Sequence, residues 1–190
     1  MEPVTLFLNA IKLARKQSYK NLAVFPLLAP NGDKPDYLTL EQALERDFVQ
    51  ITEMDQAGSV PELRLINKGK KKVLIVEGEE LVGAKQNRIV NATFLIAGKT
   101  EVIIPVSCVE QGRWRHESDA FSSGSKMMHA SLRRNHQMDV KSSLKQGRGY
   151  QSNQGKIWED ISGKLDRMKV SAPTAAMADA YDSYEGKLTD

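Results

Sequence analysis

The sequence predicts an α+β fold: an antiparallel β-sandwich or barrel-like core over about residues 21–114, with helices from the C-terminal half packed on it. Two observations carry this. Between residues 48 and 110, short apolar segments alternate in and out with a period of two and are separated by Gly-containing turns. After Trp114 the apolar spacing becomes helical. A chain of 190 residues, 41% apolar, is long enough for one domain, β-rich over 1–116 and helical over 117–190.

Taken in order, "NLAVFPLLAP" (21–30) reads as a buried strand ended by Pro30, and "NGDKPD" (31–36) is turn chemistry. "TLEQALERD" (39–47) predicts a short helix, because Thr39 and Gln42 have capping-box spacing. "FVQITEM" (48–54) predicts a strand. "ELRLIN" and "KKVLIVEG" flank "KGKK" as one hairpin, and "RIVNATFLIAG" and "TEVIIPVSCVE" flank "GK" as a second. In the first strand of that second hairpin, Val90, Ala92, Phe94 and Ile96 form the more apolar face. "ESDAFSSGSK" (117–126) reads as a linker. Helices are expected over 125–137, over 140–147 with Asp139 as cap and Gly147 as stop, over 152–168 with Ser152 as cap, and over 173–188.

Composition excludes some functions. No apolar run approaches the ~18–20 residues of a membrane span, so no membrane partner is expected. The N-terminus has an acidic second residue and lacks the basic start of a secretory signal, which makes a cytoplasmic location the expectation. The single Cys108 allows no internal disulfide and no multi-cysteine zinc site. The net charge of +3 is uneven: residues 111–170 carry twelve Lys/Arg against six Asp/Glu. Basic helices with Tyr150 and Trp158 nearby suit nucleic acid, but a solvated helical face is favoured, so nucleic acid is not an expected partner.

The chemistry concentrates in "VEGEELVGAKQNRIVN" (76–91). Lys85, Gln86, Asn87 and Arg88 are donors suited to phosphate, carboxylate or sugar hydroxyls. Glu79 and Glu80 are candidate metal ligands or acid–base groups, although an extended chain points them to opposite faces. The competing reading is an edge strand whose charges prevent sheet-to-sheet pairing. A second cluster, "PVSCVEQGRW" (105–114), offers Cys108, Glu110, Gln111, Arg113 and Trp114. Cys108 as nucleophile needs a base, and His116 is nearest in sequence; a buried, inert thiol is the favoured alternative. The histidines 116, 129 and 136 lack metal-ligand spacing, so no metal site is expected from them, and no phosphate loop or hydrolase elbow occurs.

"GEELVGAKQNRIVNATFLI" followed by "TEVIIPVSCVEQGRW" resembles the ARG-and-Rhodanese-Phosphatase-superfamily-associated protein domain family, a bacterial family of uncharacterised function. The resemblance runs from about Leu22 to near the end and includes "SNQGKIWEDI" and "SAPTAAMADAY". It places the family motifs on Glu79, Glu80, Gly83, Lys85 to Arg88 and Asn91, then on Cys108, Glu110, Gln111, Arg113 and Trp114. It implies a context of ADP-ribose or nucleotide metabolism, with no catalytic roles to transfer. Members usually continue past the last helix, which implies that part of the family domain is missing here. The expected function is a binding or accessory domain for a small anionic or sugar-containing ligand, held by Lys85, Gln86, Asn87, Arg88, Asn91, Gln111, Arg113 and Trp114. A metal-assisted hydrolase using Glu79, Glu80 or Glu110 is the alternative, and nucleic-acid binding through the basic helices is third.

Overall fold

The computed structural model describes residues 2–30, 35–55 and 60–185. The chain forms two compact units, Met1–Asp36 and Tyr37–Asp190. In the first, α1 (Pro3–Ala10) begins on a proline whose missing amide has no helical partner to lose. It is followed by β1 (Lys12–Leu13), β2 (Gln17–Tyr19), β3 (Leu22–Val24) and β4 (Leu27–Leu28). Strand β1 pairs with β4 and β2 with β3, both antiparallel. The single buried strand expected over 21–30 is therefore two short exposed strands, divided at Phe25 and Pro26. Two-stranded ladders present no second layer against which to bury a face. Of the turn expected at 31–36, residues 31–34 lie outside the described residues.

The second unit begins with β5 (Tyr37–Thr39) and α2 (Leu40–Glu45). The Thr39 hydroxyl accepts from the Gln42 amide at 3.3 Å while the Gln42 side chain accepts from the Thr39 amide at 3.2 Å, the capping box read from the sequence. Then come β6 (Val49–Glu53), β7 (Glu62–Asn67), β8 (Lys72–Ile75), β9 (Glu79–Gly83), β10 (Arg88–Val90), β11 (Phe94–Ile96), β12 (Thr100–Cys108) and β13 (Phe121–Met127). Three helices close the unit: α3 (Ala130–Lys145), α4 (Gln154–Met168) and α5 (Met177–Asp182).

The strands form an antiparallel six-stranded sheet in the order β13-β9-β10-β12-β7-β6, which curls as a half-barrel. A three-stranded sheet, β11-β8-β5, contributes to the same apolar core. Leu63, Leu65, Leu81, Val90, Ile104 and Val106 of the first meet Leu38, Val73, Ile75 and Ile96 of the second. Each fully buried side chain of this size contributes about 1.5–3 kcal/mol. On the other face of the large sheet, Ile89 and Val109 pack with Leu132 of α3, Ile157, Ile161 and Leu165 of α4, and Met177 and Ala180 of α5. The expected α+β architecture with C-terminal helices is the one observed.

The pairings differ from the expected hairpins. Strands β7 and β8 belong to different sheets, so Lys68–Lys71 crosses between layers. The strand expected over 88–98 is broken after Val90: β10 pairs with β9 and β12, whereas β11 pairs with β8. The presumed linker at 117–126 largely forms β13, because its backbone completes the ladder of β9 and Phe121 enters the core. Consequently β9 is an interior strand, not a charged edge. Helix α3 runs unbroken through Asp139, and its cap is His129, whose Nδ1 accepts from the Leu132 amide. Asn153 rather than Ser152 caps α4, while Gly147 (φ 69°) lies just past the end of α3 as expected. The last helix stops at Asp182, and residues 186–188 of the expected span lie outside the described residues.

The two sheets are joined by close backbone approach. The Asn67 carboxamide donates to the carbonyls of Lys71 and Ala97, each at 2.9 Å, and accepts from the Gly69 amide at 3.0 Å. A Cβ on Gly98 would lie 2.2 Å from the Lys70 carbonyl oxygen. Gly98→Ala is therefore expected to cost about 1–3 kcal/mol in urea unfolding. A variant as stable as the wild type would show that this junction gives way freely.

Candidate functional site

The two motifs meet, since the turn between β9 and β10 lies beside the end of β12. Ala84 adopts φ 44° in that turn, and Gly83 (φ 131°) packs so closely that a Cβ would approach the Ser118 hydroxyl to 2.5 Å. Gln86, Asn87, Arg88 and Arg113 are buried. Arg113 donates from Nε to Glu110 Oε2 at 2.8 Å, from Nη1 to the Ala84 carbonyl at 3.0 Å and from Nη2 to Asn87 Oδ1 at 2.8 Å. Glu110 also accepts from the Asn87 amide at 3.2 Å and the Thr174 hydroxyl at 2.9 Å. Gln86 donates to the Glu110 carbonyl and accepts from Arg88 Nη1. Arg88 is fully buried, 3.7 Å from Glu53. Trp114, half exposed, covers it at 5.7 Å and carries Lys85 at 5.6 Å from its ring centre. Gln111 is exposed. The segment is a clamp that ties a turn to a strand end: Arg113 and Gln86 give their donors to acceptors of the same chain, whereas Arg88 hydrogen-bonds through Nη1 alone.

The candidate carboxylates diverge. Glu79 accepts from the Val76 amide at 2.9 Å, and burial raises its pKa. Glu110 is committed to Arg113. Glu80, on the helical side of the sheet, is 1% exposed and neither of its oxygens has a hydrogen-bond partner. Burial pushes it up to about 7 against the opposing attraction of Lys126, with Asp182, Glu110 and Asp179 adding to the rise. Among the described residues no three His, Cys, Asp or Glu side chains are grouped to hold a metal ion. Cys108 is 2% exposed, and burial raises its thiol pKa while Arg88 opposes. His116, the base proposed for it, pairs instead with Asp119 at 3.1 Å on the surface. The basic excess of the helices is partly neutralised, Arg133 by Glu77 at 2.9 Å and Lys156 by Asp139 at 3.2 Å.

Asn91 alone of the expected binding residues lines the cleft on the helical side of the sheet. This cleft, of about 540 Å³, lies between β12 and residues 148–154. Its floor is a buried hydrogen-bonded chain. Asn91 Nδ2 donates to the Tyr150 carbonyl at 2.9 Å, which leaves Oδ1 to accept from the Ser107 hydroxyl at 2.8 Å and from His136 Nε2 at 3.0 Å. Ser107, having given its proton to Asn91, accepts from Ser152 at 2.6 Å. His136 Nδ1 lies 3.3 Å from Glu77 Oε1, and Glu77 Oε2 accepts from Arg133 and Gln137. Burial lowers the His136 pKa while Glu77 opposes. Gln154 accepts from the Cys108 amide at 2.9 Å and donates to its carbonyl at 2.7 Å, which pins the start of α4 to β12.

A second chamber of about 330 Å³ adjoins the first, and Arg148, Gln151, Ser152 and Gln154 line both. Sequence reasoning places residues 148–154 only within the basic helical segment, because it is the fold that brings them against Asn91 and Ser107. The one local signal was "GRGYQS", where Gly147 and Gly149 both adopt positive φ and shape the loop that carries Tyr150.

The family model of the ARG and Rhodanese-Phosphatase-superfamily-associated Protein domain matches residues 10–190. The chain belongs to this family. No curated protein and no solved structure matches it. The family assignment agrees with the motifs that suggested it, and the family is one of unknown function. Among the described residues of this family member no helix is long and apolar enough to cross a membrane.

Two measurements test the buried polar groups. Arg113→Ala strands Glu110 inside the protein and is expected to cost about 3–5 kcal/mol in urea unfolding. A loss below 1 kcal/mol would mean that the clamp is solvated. For Glu80, the folded chain retains a proton between pH 4.5 and about 7 that the unfolded chain has released. Stability attributable to this group therefore falls as pH rises through that window, and the whole penalty is present above it. Glu80→Gln should gain on the wild type by on the order of 3 kcal/mol between about pH 5 and about pH 8. Thermal melts that show the same difference at both pH values would place the carboxylate in water.

Proposed function

We propose that this protein is a binding or accessory domain for a small anionic or sugar-containing ligand, seated in the cleft between β12 and residues 148–154. The observation that carries the reading is the convergence of a rigid polar floor, an exposed arginine and aromatic walls on one concavity. Asn91 and Ser107 are held at fixed orientations from beneath. Arg148 lines both chambers, and Tyr150 meets Phe94 edge-on at 6.0 Å between ring centres. Ligand sites are concave, mostly apolar and marked by a few placed polar groups, and this cleft has that composition. Lys85 to Arg88 and Arg113, the donors favoured from the sequence, support the scaffold in this reading rather than the ligand. The context of ADP-ribose or nucleotide metabolism is what the resemblance of the motifs implies, and it is part of this proposal.

The test is thermal stabilisation by a panel of hexose phosphates, ADP-ribose and dicarboxylates. At least one should raise the Tm of the wild type, and the rise should be lost in Arg148→Gln, whose own Tm stays within about 1–2 °C of wild type because the residue is exposed. A panel without any stabilising compound, or a stabilisation that Arg148→Gln retains, would remove this cleft as the site.

A further inference from the structure

Resting on the cleft as the binding site, we infer that its ligand is a phosphate monoester bearing a flat ring, of the nucleoside monophosphate class, with ring and phosphate in separate chambers. The two chambers differ in chemistry. The first has Phe94, Tyr150, Ile103 and Pro105 in its walls, a surface that receives an uncharged ring by stacking or edge contact. The second is lined by polar residues, from Ser142 and Ser143 of α3 to Arg148 and Gln151–Gln154, with Asp139 as its one carboxylate. Asp139 is already paired with Lys156 at 3.2 Å, so it opposes an anion less than a free carboxylate does.

Three features of the second chamber suit a phosphate. Helix α4 begins there: Asn153 caps the Lys156 amide, and the earlier first-turn amides at Gln154 and Gly155 have no acceptor within the helix. Arg148, at the junction of the chambers, supplies a planar guanidinium for two phosphate oxygens. Ser143 is 2% exposed, its hydroxyl has no hydrogen-bond partner, and it lines this chamber. A buried hydroxyl without a partner costs stability, and rotation about its one side-chain torsion would let it donate to a phosphate oxygen in the chamber. Arg148, Ser152 and Gln154 line both chambers, so one ligand can span them with its sugar at the junction, above Ser107 and Asn91.

Calorimetry on the full chain with AMP, adenosine, ribose 5-phosphate and inorganic phosphate separates the contributions. AMP should bind at least tenfold more tightly than either adenosine or ribose 5-phosphate. Arg148→Gln should weaken AMP and ribose 5-phosphate at least tenfold and leave adenosine unchanged. Tyr150→Ala keeps the backbone carbonyl that Asn91 needs, and it should weaken AMP and adenosine but not ribose 5-phosphate. Ser143→Ala gives an opposed pair of effects: a higher Tm without ligand and several-fold weaker AMP binding. If AMP binds no more tightly than ribose 5-phosphate, the ring chamber is empty and this inference falls, while the anion- or sugar-binding role stands. If Ser143→Ala leaves AMP affinity unchanged, the phosphate does not sit in the second chamber and the inference is likewise overturned. If none of the four compounds binds while the wider panel stabilises the protein, the ligand class is wrong and the cleft is right.

Discussion

The Asn91 carboxamide is the junction on which the helical side of the molecule depends. It is 4% exposed and meets the Tyr150 carbonyl, the Ser107 hydroxyl and the His136 ring at once. A buried amide is stable only when its donors and acceptors are satisfied together, so these partners have to arrive as a set. That requirement couples three things that are remote in sequence. The chain leaves the six-stranded sheet at Asn91 to enter β11 in the other sheet, α3 presents His136, and the loop after α3 presents Tyr150. Glu77 extends the set from below, holding His136, Arg133 and Gln137. The cleft is thus a consequence of how the sheet switch is sealed.

The clamp at Arg113 works on the same principle at the opposite end of β10. Its guanidinium contacts Glu110, Asn87 and the Ala84 carbonyl, so the β9–β10 turn is fastened to the end of β12. The sequence made both motifs visible as one unit, because donors and acceptors are dense in each. It did not reveal which way they face. Lys85–Gln86–Asn87–Arg88 has four donors in a row, which is equally what a ligand site and an internal clamp require. The acceptors that decide the matter, the Glu110 carbonyl for Gln86 and the Glu110 carboxylate for the Asn87 amide, reach these donors only through the strand register of β9, β10 and β12.

Much of the fold was legible for local reasons. Thr39 and Gln42 cap α2 within four residues, and Ile157, Ile161 and Leu165 mark the buried stripe of α4. Sheet membership was not local. Leu63 and Leu65 on β7, and Val73 and Ile75 on β8, alternate as a hairpin would, yet they enter the core from opposite layers. Period-two patterning fixes which side chains are buried and is silent on which sheet buries them. Asp139 misled for a related reason. It has cap chemistry, but its position within α3 lets it pair with Lys156 at the start of α4, so the helix continues through it.

Glu80 and Ser143 are both buried polar groups without a hydrogen-bond partner, and their surroundings give them different meanings. Glu80 is packed on β9 between β10 and β13, with Gly124 opposite so close that a Cβ would come within 2.7 Å of its carboxylate. No added group fits there without displacement, and the side chain reduces its cost by keeping its proton to about pH 7. Ser143 has no proton to release or acquire near neutral pH, so its unmet hydrogen bond persists at every working pH. It borders open volume beside an arginine and a helix start. A cost that protonation can relieve is a property of the folded chain alone. One that only an added acceptor or donor can relieve is a reason to look for that group in the adjoining space.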